Sequence, residues 1–351
     1  MENIIKAAVE RGASDLHIKA GDVFRARIGG ALKPLTKQRL TPEQTRAIAL
    51  RMIPNDEDRK RIDAIRDYDC SWGAPGIGRF RVNILRQRSS FMIVMRVIPF
   101  DVPTLERLHL PQVLTRIVEA PSGLVLVTGG AGSGKTSTVA ALVHQINSSV
   151  NKHIVALEDP IEYLHRDVKS SVTQREVGMD TESFATGLKA AMRQDPDVIV
   201  LGELPDLATL DTVLRAAEDG QLVITTIPTP DALHTLSRLV AMFPGEDQDV
   251  ARLRLIESLS AVISQKLVPR TDEDARTAVV EVLRTTPEIR DLLLSQDKGK
   301  RVLAAVAEGR DQHGTQTFDQ HLADLVEAGI VTATVARTAA REPQAFDGER
   351  G

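Results

Sequence analysis

Apolar residues recur along this chain in two rhythms, and the change from one to the other divides it. Over residues 2–11, Ile4, Ile5, Ala8 and Val9 fall on one face of a short helix. Phe24, Ala26 and Ile28 then alternate with polar residues and run into Gly29-Gly30, which predicts a strand entering a tight hairpin. Thr41-Pro42-Glu43 reads as an N-cap followed by proline at the first helical position, opening a helix that carries Ile48, Ala49 and Met52 towards a core. The charged run from Glu57 to Asp67 is expected to be a solvated helical face. Between Gly78 and Arg88, Phe80, Val82 and Ile84 alternate with Arg79, Arg81 and Asn83, giving a half-exposed strand with arginines on its open face. A partner strand follows from Phe91 to Ile98, and Pro99, Pro103 and Pro111 punctuate the next stretch. This part predicts an α+β N-terminal domain over residues 1–98 and a linker over 99–111.

From Gln112 onward strands alternate with helices, the mark of a parallel sheet in an α/β domain spanning 112–351. Strands are expected at 124–128, 153–157, 198–202 and 222–227, and helices at 135–147, 183–194, 207–219 and 231–241. After Lys266 the chain is expected to turn helical and charged, with a helical part over about 270–341. There Phe318, Leu322, Leu325 and Val326 form an apolar stripe that reads as core, and the tail from Glu342 to Gly351 is expected to be disordered.

Composition changes this picture in a few places. With 351 residues the chain can bury two cores. A net charge of −4 and 3% aromatic residues argue against a nucleic-acid partner, which calls for basic excess and stacking surfaces. One cysteine, Cys70, leaves no intrachain disulfide framework and no cysteine-cluster zinc site. No apolar run approaches the roughly 18 residues of a spanning helix, and Met1 to Lys6 lack a signal-peptide core. A cytoplasmic protein is expected, with a peripheral role at a membrane left open.

The chemistry concentrates after the first strand of the second domain. Gly129-Gly130-Ala131-Gly132-Ser133-Gly134-Lys135-Thr136 fits the phosphate-binding loop G-x-x-x-x-G-K-[ST], between an apolar strand and a helix. Glycines let successive backbone N–H groups turn towards phosphate oxygens, and the helix N-terminus adds a positive dipole end. Lys135 is the candidate for the β- and γ-phosphates and Thr136 for magnesium, with Ser137 completing the nucleotide-binding set. Glu158 and Asp159 follow the strand ending near Leu157, at the carboxyl end where α/β sheets bind ligands. Glu203 follows Val198-Ile199-Val200-Leu201-Gly202, the position of a Walker B carboxylate that orients or deprotonates water. Catalytic candidates are therefore Glu203, Glu158 and Lys135, and metal candidates Thr136, Glu203, Glu158 and Asp159.

Read together, these stretches resemble a family: the secretion ATPases of type IV pili and type II secretion, and within it the pilus retraction ATPases. Ala13-Ser14-Asp15-Leu16-His17 resembles the family's ASDLH motif, Arg79-Phe80-Arg81-Val82-Asn83 its RFRVN strand, and Glu158 to Glu162 its Asp box. Ala261 to Leu267 is similar to the segment that closes its core, and Ala278 to Leu283 with Thr286 to Leu293 to the retraction subfamily's C-terminal motifs. The resemblance implies a PAS-like N-terminal domain, a RecA-like P-loop NTPase domain with a helical C-terminal extension, and ATP with Mg2+. It implies a homo-hexamer in which N-terminal arginines, here Arg81 and Arg96, reach the nucleotide. It also implies a site peripheral to the inner membrane, an inner-membrane platform protein as partner, and room for a paralogous pilus ATPase.

Two departures stand out. The family continues its Walker B as GEMRD or GEIRD, whereas Leu204-Pro205-Asp206 here replaces the arginine with proline. Its His box reads TLHT, whereas Thr226-Ile227-Pro228-Thr229 has proline in the histidine's place, and Ser237 aligns with a second histidine. Proline brings neither a side-chain donor nor an N–H, and a group stabilising transferring charge is worth about 2–4 kcal/mol of barrier. Two readings follow: an active hexameric motor, or a catalytically weak nucleotide-binding paralogue that regulates one.

Overall fold

The computed structural model describes residues 1–98, 101–272, 275–295 and 299–347. Two compact units divide it, Met1–Asp101 with Pro160–Leu164, and Val102–Asp159 with His165–Gly351.

The first unit is an antiparallel sheet of β1 (Ala13–Lys19), β2 (Arg25–Ile28), β3 (Ala31–Pro34), β4 (Asp67–Ala74), β5 (Gly78–Gln87) and β6 (Ser90–Ile98), ordered β3-β2-β1-β6-β5-β4. Period-two alternation puts Leu16, Ile18, Phe80, Val82, Ile84, Ile93 and Met95 into one core. Helices α1 (Glu2–Glu10) and α2 (Pro42–Met52) add Ile5, Ala8, Ala49 and Met52 to it. Thr41 caps α2 in a full capping box, its hydroxyl accepting from the Gln44 N–H while the Gln44 side chain accepts from the Thr41 N–H. The charged run after Asn55 departs from expectation. It is helical only over α3 (Asp56–Lys60), because Ile62 is buried in a following 3-10 turn and the chain then enters β4.

The second unit carries β7 (Gly123–Thr128), β8 (His153–Glu158), β9 (Ser171–Glu176), β10 (Val198–Leu201), β11 (Leu222–Ile227), β12 (Leu259–Pro269) and β13 (Arg276–Arg284), ordered β13-β12-β7-β11-β10-β8-β9. All neighbours run parallel except β12 and β13. Successive residues of β7 face opposite cores: Leu124 and Leu126 join one, Val125 and Val127 the other. A strand buried on both faces needs the unbroken apolar run that marked it in the sequence.

Before the sheet lies α4 (Val113–Val118), and between its strands run α5 (Lys135–Ser149), α6 (Phe184–Ala191), α7 (Leu207–Glu218), α8 (Ala232–Ala241) and α9 (Gln248–Ser258). After it follow α10 (Pro287–Leu294), α11 (Lys300–Glu308), α12 (Arg310–His313), α13 (Phe318–Glu327) and α14 (Ala333–Ala339). The helical part therefore starts later than expected. Residues 276–284 are strand, because Val279, Val280 and Val282 are β-branched and pair along β12. Phe318, Leu322 and Leu325 pack on Val268 and Val279 of the two outer strands. Residues 99–100 of the expected linker lie outside the described residues, while Leu105 and Leu110 are buried in the second unit's core. The tail expected to be disordered begins ordered. The Glu342 N–H donates to Asp319, and Pro343–Phe346 forms a 3-10 turn with Phe346 packed near α13; residues 348–351 lie outside the described residues.

Candidate nucleotide site

At the carboxyl end of β7 the chain must turn sharply into α5, and glycine alone permits the turn. Gly129, Gly132 and Gly134 sit at φ 149°, 70° and 88°, and Gly134 is the left-handed N-cap of α5. A Cβ on Gly129 would lie 2.3 Å from the Gln265 carbonyl oxygen and 2.4 Å from Ser133 Oγ. Lys135, in the first turn of the helix, extends back along the loop, and its Nζ donates to the Gly129 and Gly130 carbonyls at 2.9 Å each. Burial pushes its ammonium below the ordinary lysine range. Gly130, Ala131 and Gly132 are exposed, Thr136 and Ser137 are half-buried, and Ser133 is buried under the loop.

Strand β12 forms the floor, and sequence reasoning had given its residues no role at the site. Ser264 accepts from Thr128 Oγ1 at 3.0 Å, directly before the loop. Gln265 Nε2 donates to the Ser133 carbonyl at 2.6 Å from a side chain only 2% exposed. The signal was present in Ser264-Gln265, two polar residues in an apolar β run. A buried polar pair marks a place where polar backbone has to be held.

The acidic candidates stand on neighbouring strand ends. Glu203 follows β10 and is exposed, one strand removed from β7 because β11 lies between. Two strand spacings separate their axes by roughly 9–10 Å, room for a phosphate and a water between Lys135 and a carboxylate. Glu158 ends β8, and its Oε1 accepts from Gln174 of β9 at 2.9 Å, while Asp159 beyond it is exposed. Among the described residues no cluster of three or more His, Cys, Asp or Glu forms a metal site by itself. The oxygens of Thr136, Glu203, Glu158 and Asp159 are nonetheless the hard donors magnesium prefers. Pro228 is exposed just beyond β11, the strand between β7 and β10. Thr226 Oγ1 donates to the Gly202 carbonyl at 2.6 Å, tying the end of β11 to the base of Glu203. His234 lies exposed in the first turn of α8, bonded through Nδ1 to Asp231 at 2.8 Å.

Arg81 and Arg96 belong to the first unit, on its open face. They are opposite one another across β5 and β6, and Arg96 is opposite Asp15 across β1. Arg96 Nε donates to Asp15 at 3.1 Å. Burial raises the Asp15 carboxyl, but bonds from Ser14 and Arg96 outweigh it and hold the group low.

Comparison with known proteins places this geometry in context. The family described as type II/IV secretion system protein matches residues 1–342. The chain is 39% identical to the type IV pilus retraction ATPase PilT of Pseudomonas aeruginosa over 98% of each chain. It is 38% identical to the type IV pilus ATPase PilU of the same organism, over 94% of this chain and 86% of that one. A crystal structure of the pilus retraction motor PilT with bound ADP superposes with a TM-score of 0.84, at 39% identity over 98% of each chain. Among the described residues no helix is long and apolar enough to cross a membrane.

Proposed function

The chain belongs to the type II/IV secretion system protein family, and from that premise we propose that it is an ATP-hydrolysing motor of the pilus-retraction type. The observation that carries the reading is the pairing of a preformed phosphate loop at the end of β7 with Glu203 two strands away. Backbone N–H groups of residues 130–136 would cradle the phosphates, and Lys135 would leave the Gly129 and Gly130 carbonyls for the β- and γ-oxygens. Thr136, in the first turn of α5, and Glu203, Glu158 and Asp159, at the ends of β10 and β8 in the same sheet, offer the oxygen donors that would suit magnesium, which would neutralise charge on the transferring phosphoryl group. Glu203 would orient and deprotonate the attacking water. Arg81 and Arg96 would approach the nucleotide in a homo-hexamer, and domain motion would act on an inner-membrane platform protein from its cytoplasmic side. These placements rest on the family resemblance.

Phosphate release from Mg-ATP by the purified chain is expected to exceed that of Glu203→Gln by a factor of 100 or more, on the scale of about 10²–10⁴ for general-base catalysis. Rates that do not differ would sink the motor reading. ATP binding without turnover would instead mark the weak paralogue, a reading that its similarity to named pilus ATPases does not favour. Pro228→His then reports whether the missing donor limits the rate, with a gain of about tenfold or more expected if it does.

A further inference from the structure

Behind the segment that carries Pro228, charges gathered around the buried Glu281 hold the start of α8. Asp231 is the helix N-cap, and its carboxylate accepts from the His234 N–H at 3.0 Å. Glu281 comes from β13, is 1% exposed, and accepts the backbone N–H of Ala232, the first residue of the helix. Arg341, just beyond α14, bridges the two carboxylates. Its Nη1 and Nη2 lie 2.5 and 3.2 Å from Glu281, and Nη2 lies 3.6 Å from Asp231. Arg341 is itself fixed, since its N–H donates to Asp319 at 2.8 Å and its guanidinium lies 5.4 Å over the Phe318 ring.

The arrangement is demanding. Burial pushes the Glu281 carboxyl up, and the Arg341 charge opposes that push. Only Glu281 is fully buried, the Arg341 side chain being 31% exposed, and replacing such a pair by well-packed apolar residues often costs no stability, so the charges point to a need for position. Position matters here because residues 228–230 are all that separate β11 from Asp231. The near end of this loop is tied by Thr226 to the carbonyl beneath Glu203. Its far end is tied by the buried hydroxyl pair Thr229–Thr235 at 2.6 Å and by the clamp on Asp231.

We propose that Arg341 is a positioning residue for hydrolysis. Through Glu281 and Asp231 it fixes the loop 228–230 against the end of β11 and thereby the setting of Glu203. The idea rests on the ATPase reading above and deepens it, because it makes the segment after α14 a determinant of turnover.

The test compares wild type, Glu203→Gln, Arg341→Met, Glu281→Gln/Arg341→Met and Asp231→Asn. For each, the melting temperature, affinity for a fluorescent ADP, kcat and KM are measured. Arg341→Met leaves Glu281 buried and unpaired, so its melting temperature should fall. The double variant removes that charge and should recover the melting temperature. The proposal expects kcat to stay depressed about 10- to 100-fold in the double variant, the cost of a misplacement near 1 Å, with KM and ADP affinity within about threefold. Asp231→Asn keeps an N-cap acceptor and should depress kcat in the same way with a smaller change in melting temperature. If kcat recovers together with the melting temperature, or if Asp231→Asn turns over like wild type, Arg341 is a purely structural residue and the proposal is wrong. If wild type itself is no faster than Glu203→Gln, the ATPase reading fails instead, a result separable from the first two.

Discussion

Gly129 and Gly130 are adjacent glycines of one motif, yet they face unequal demands. Gly129 sits at φ 149° with the Gln265 carbonyl and Ser133 Oγ where a Cβ would go, while nothing lies within 4 Å of a Cβ on Gly130, whose φ is ordinary. Gly129→Ala is therefore expected to abolish measurable nucleotide binding, since relief would require moving β12 backbone. Gly130→Ala should bind within a few-fold of wild type. Titration of a fluorescent ADP reads both, and equal losses in the two variants would refute this account of the loop. The motif itself was legible because its chemistry is local: glycines, a lysine and a threonine at fixed spacing, with a strand before and a helix after. Glu203 was legible for the same reason, standing at the end of an apolar run.

What the sequence left hidden at the level of elements depends on partners distant in the chain. Strands β12 and β13 pair as neighbours, but β12 serves the site only because it lies alongside β7, and no local pattern records that adjacency. Strand β9, Ser171–Glu176, has no apolar alternation to mark it and forms the sheet edge beside β8. The N-cap at Thr41 and the four central parallel strands were visible, since capping chemistry and buried apolar runs are written over a few residues. The floor formed by β12 makes a prediction at this scale. Gln265→Leu keeps the volume but leaves the Ser133 carbonyl without its donor, at a cost of about 1–3 kcal/mol for an unmet buried acceptor. Chemical denaturation should show that loss, and added ADP should recover part of it by binding the folded state. A variant as stable as wild type, with unchanged ADP affinity, would remove Gln265 from the site.

Across the molecule, histidines held neutral by burial make stability answer to acid, and His321 is one of them, with His165 shifted alike. His321, on α13, accepts the Val280 N–H through Nδ1 at 2.9 Å. Burial, with the Arg310 charge, outweighs Asp324 and lowers it from 6.5 to about 4. Above pH 6.5 it is neutral whether folded or not, so its contribution there is flat. Between 6.5 and 4 the unfolded chain takes up a proton that the folded chain refuses, and stability falls as pH drops, by on the order of 3 kcal/mol in full. Urea midpoints at pH 7.5 and 5 should therefore converge more closely for His321→Asn than for wild type, and parallel slopes would exclude His321 as the cause. The pairing of β7 with β12 has a further consequence, in time rather than in energy. Thr128 and Ser264 are 136 residues apart in the chain, so at roughly 5–20 residues per second a ribosome delivers the floor of the loop on the order of 10 s after the loop itself. A nascent chain stalled before Leu259 holds every residue of the phosphate motif and still lacks the strand that shapes it. Nucleotide is thus expected to stabilise the loop only after β12, with Ser264 and Gln265, has been made and paired with β7.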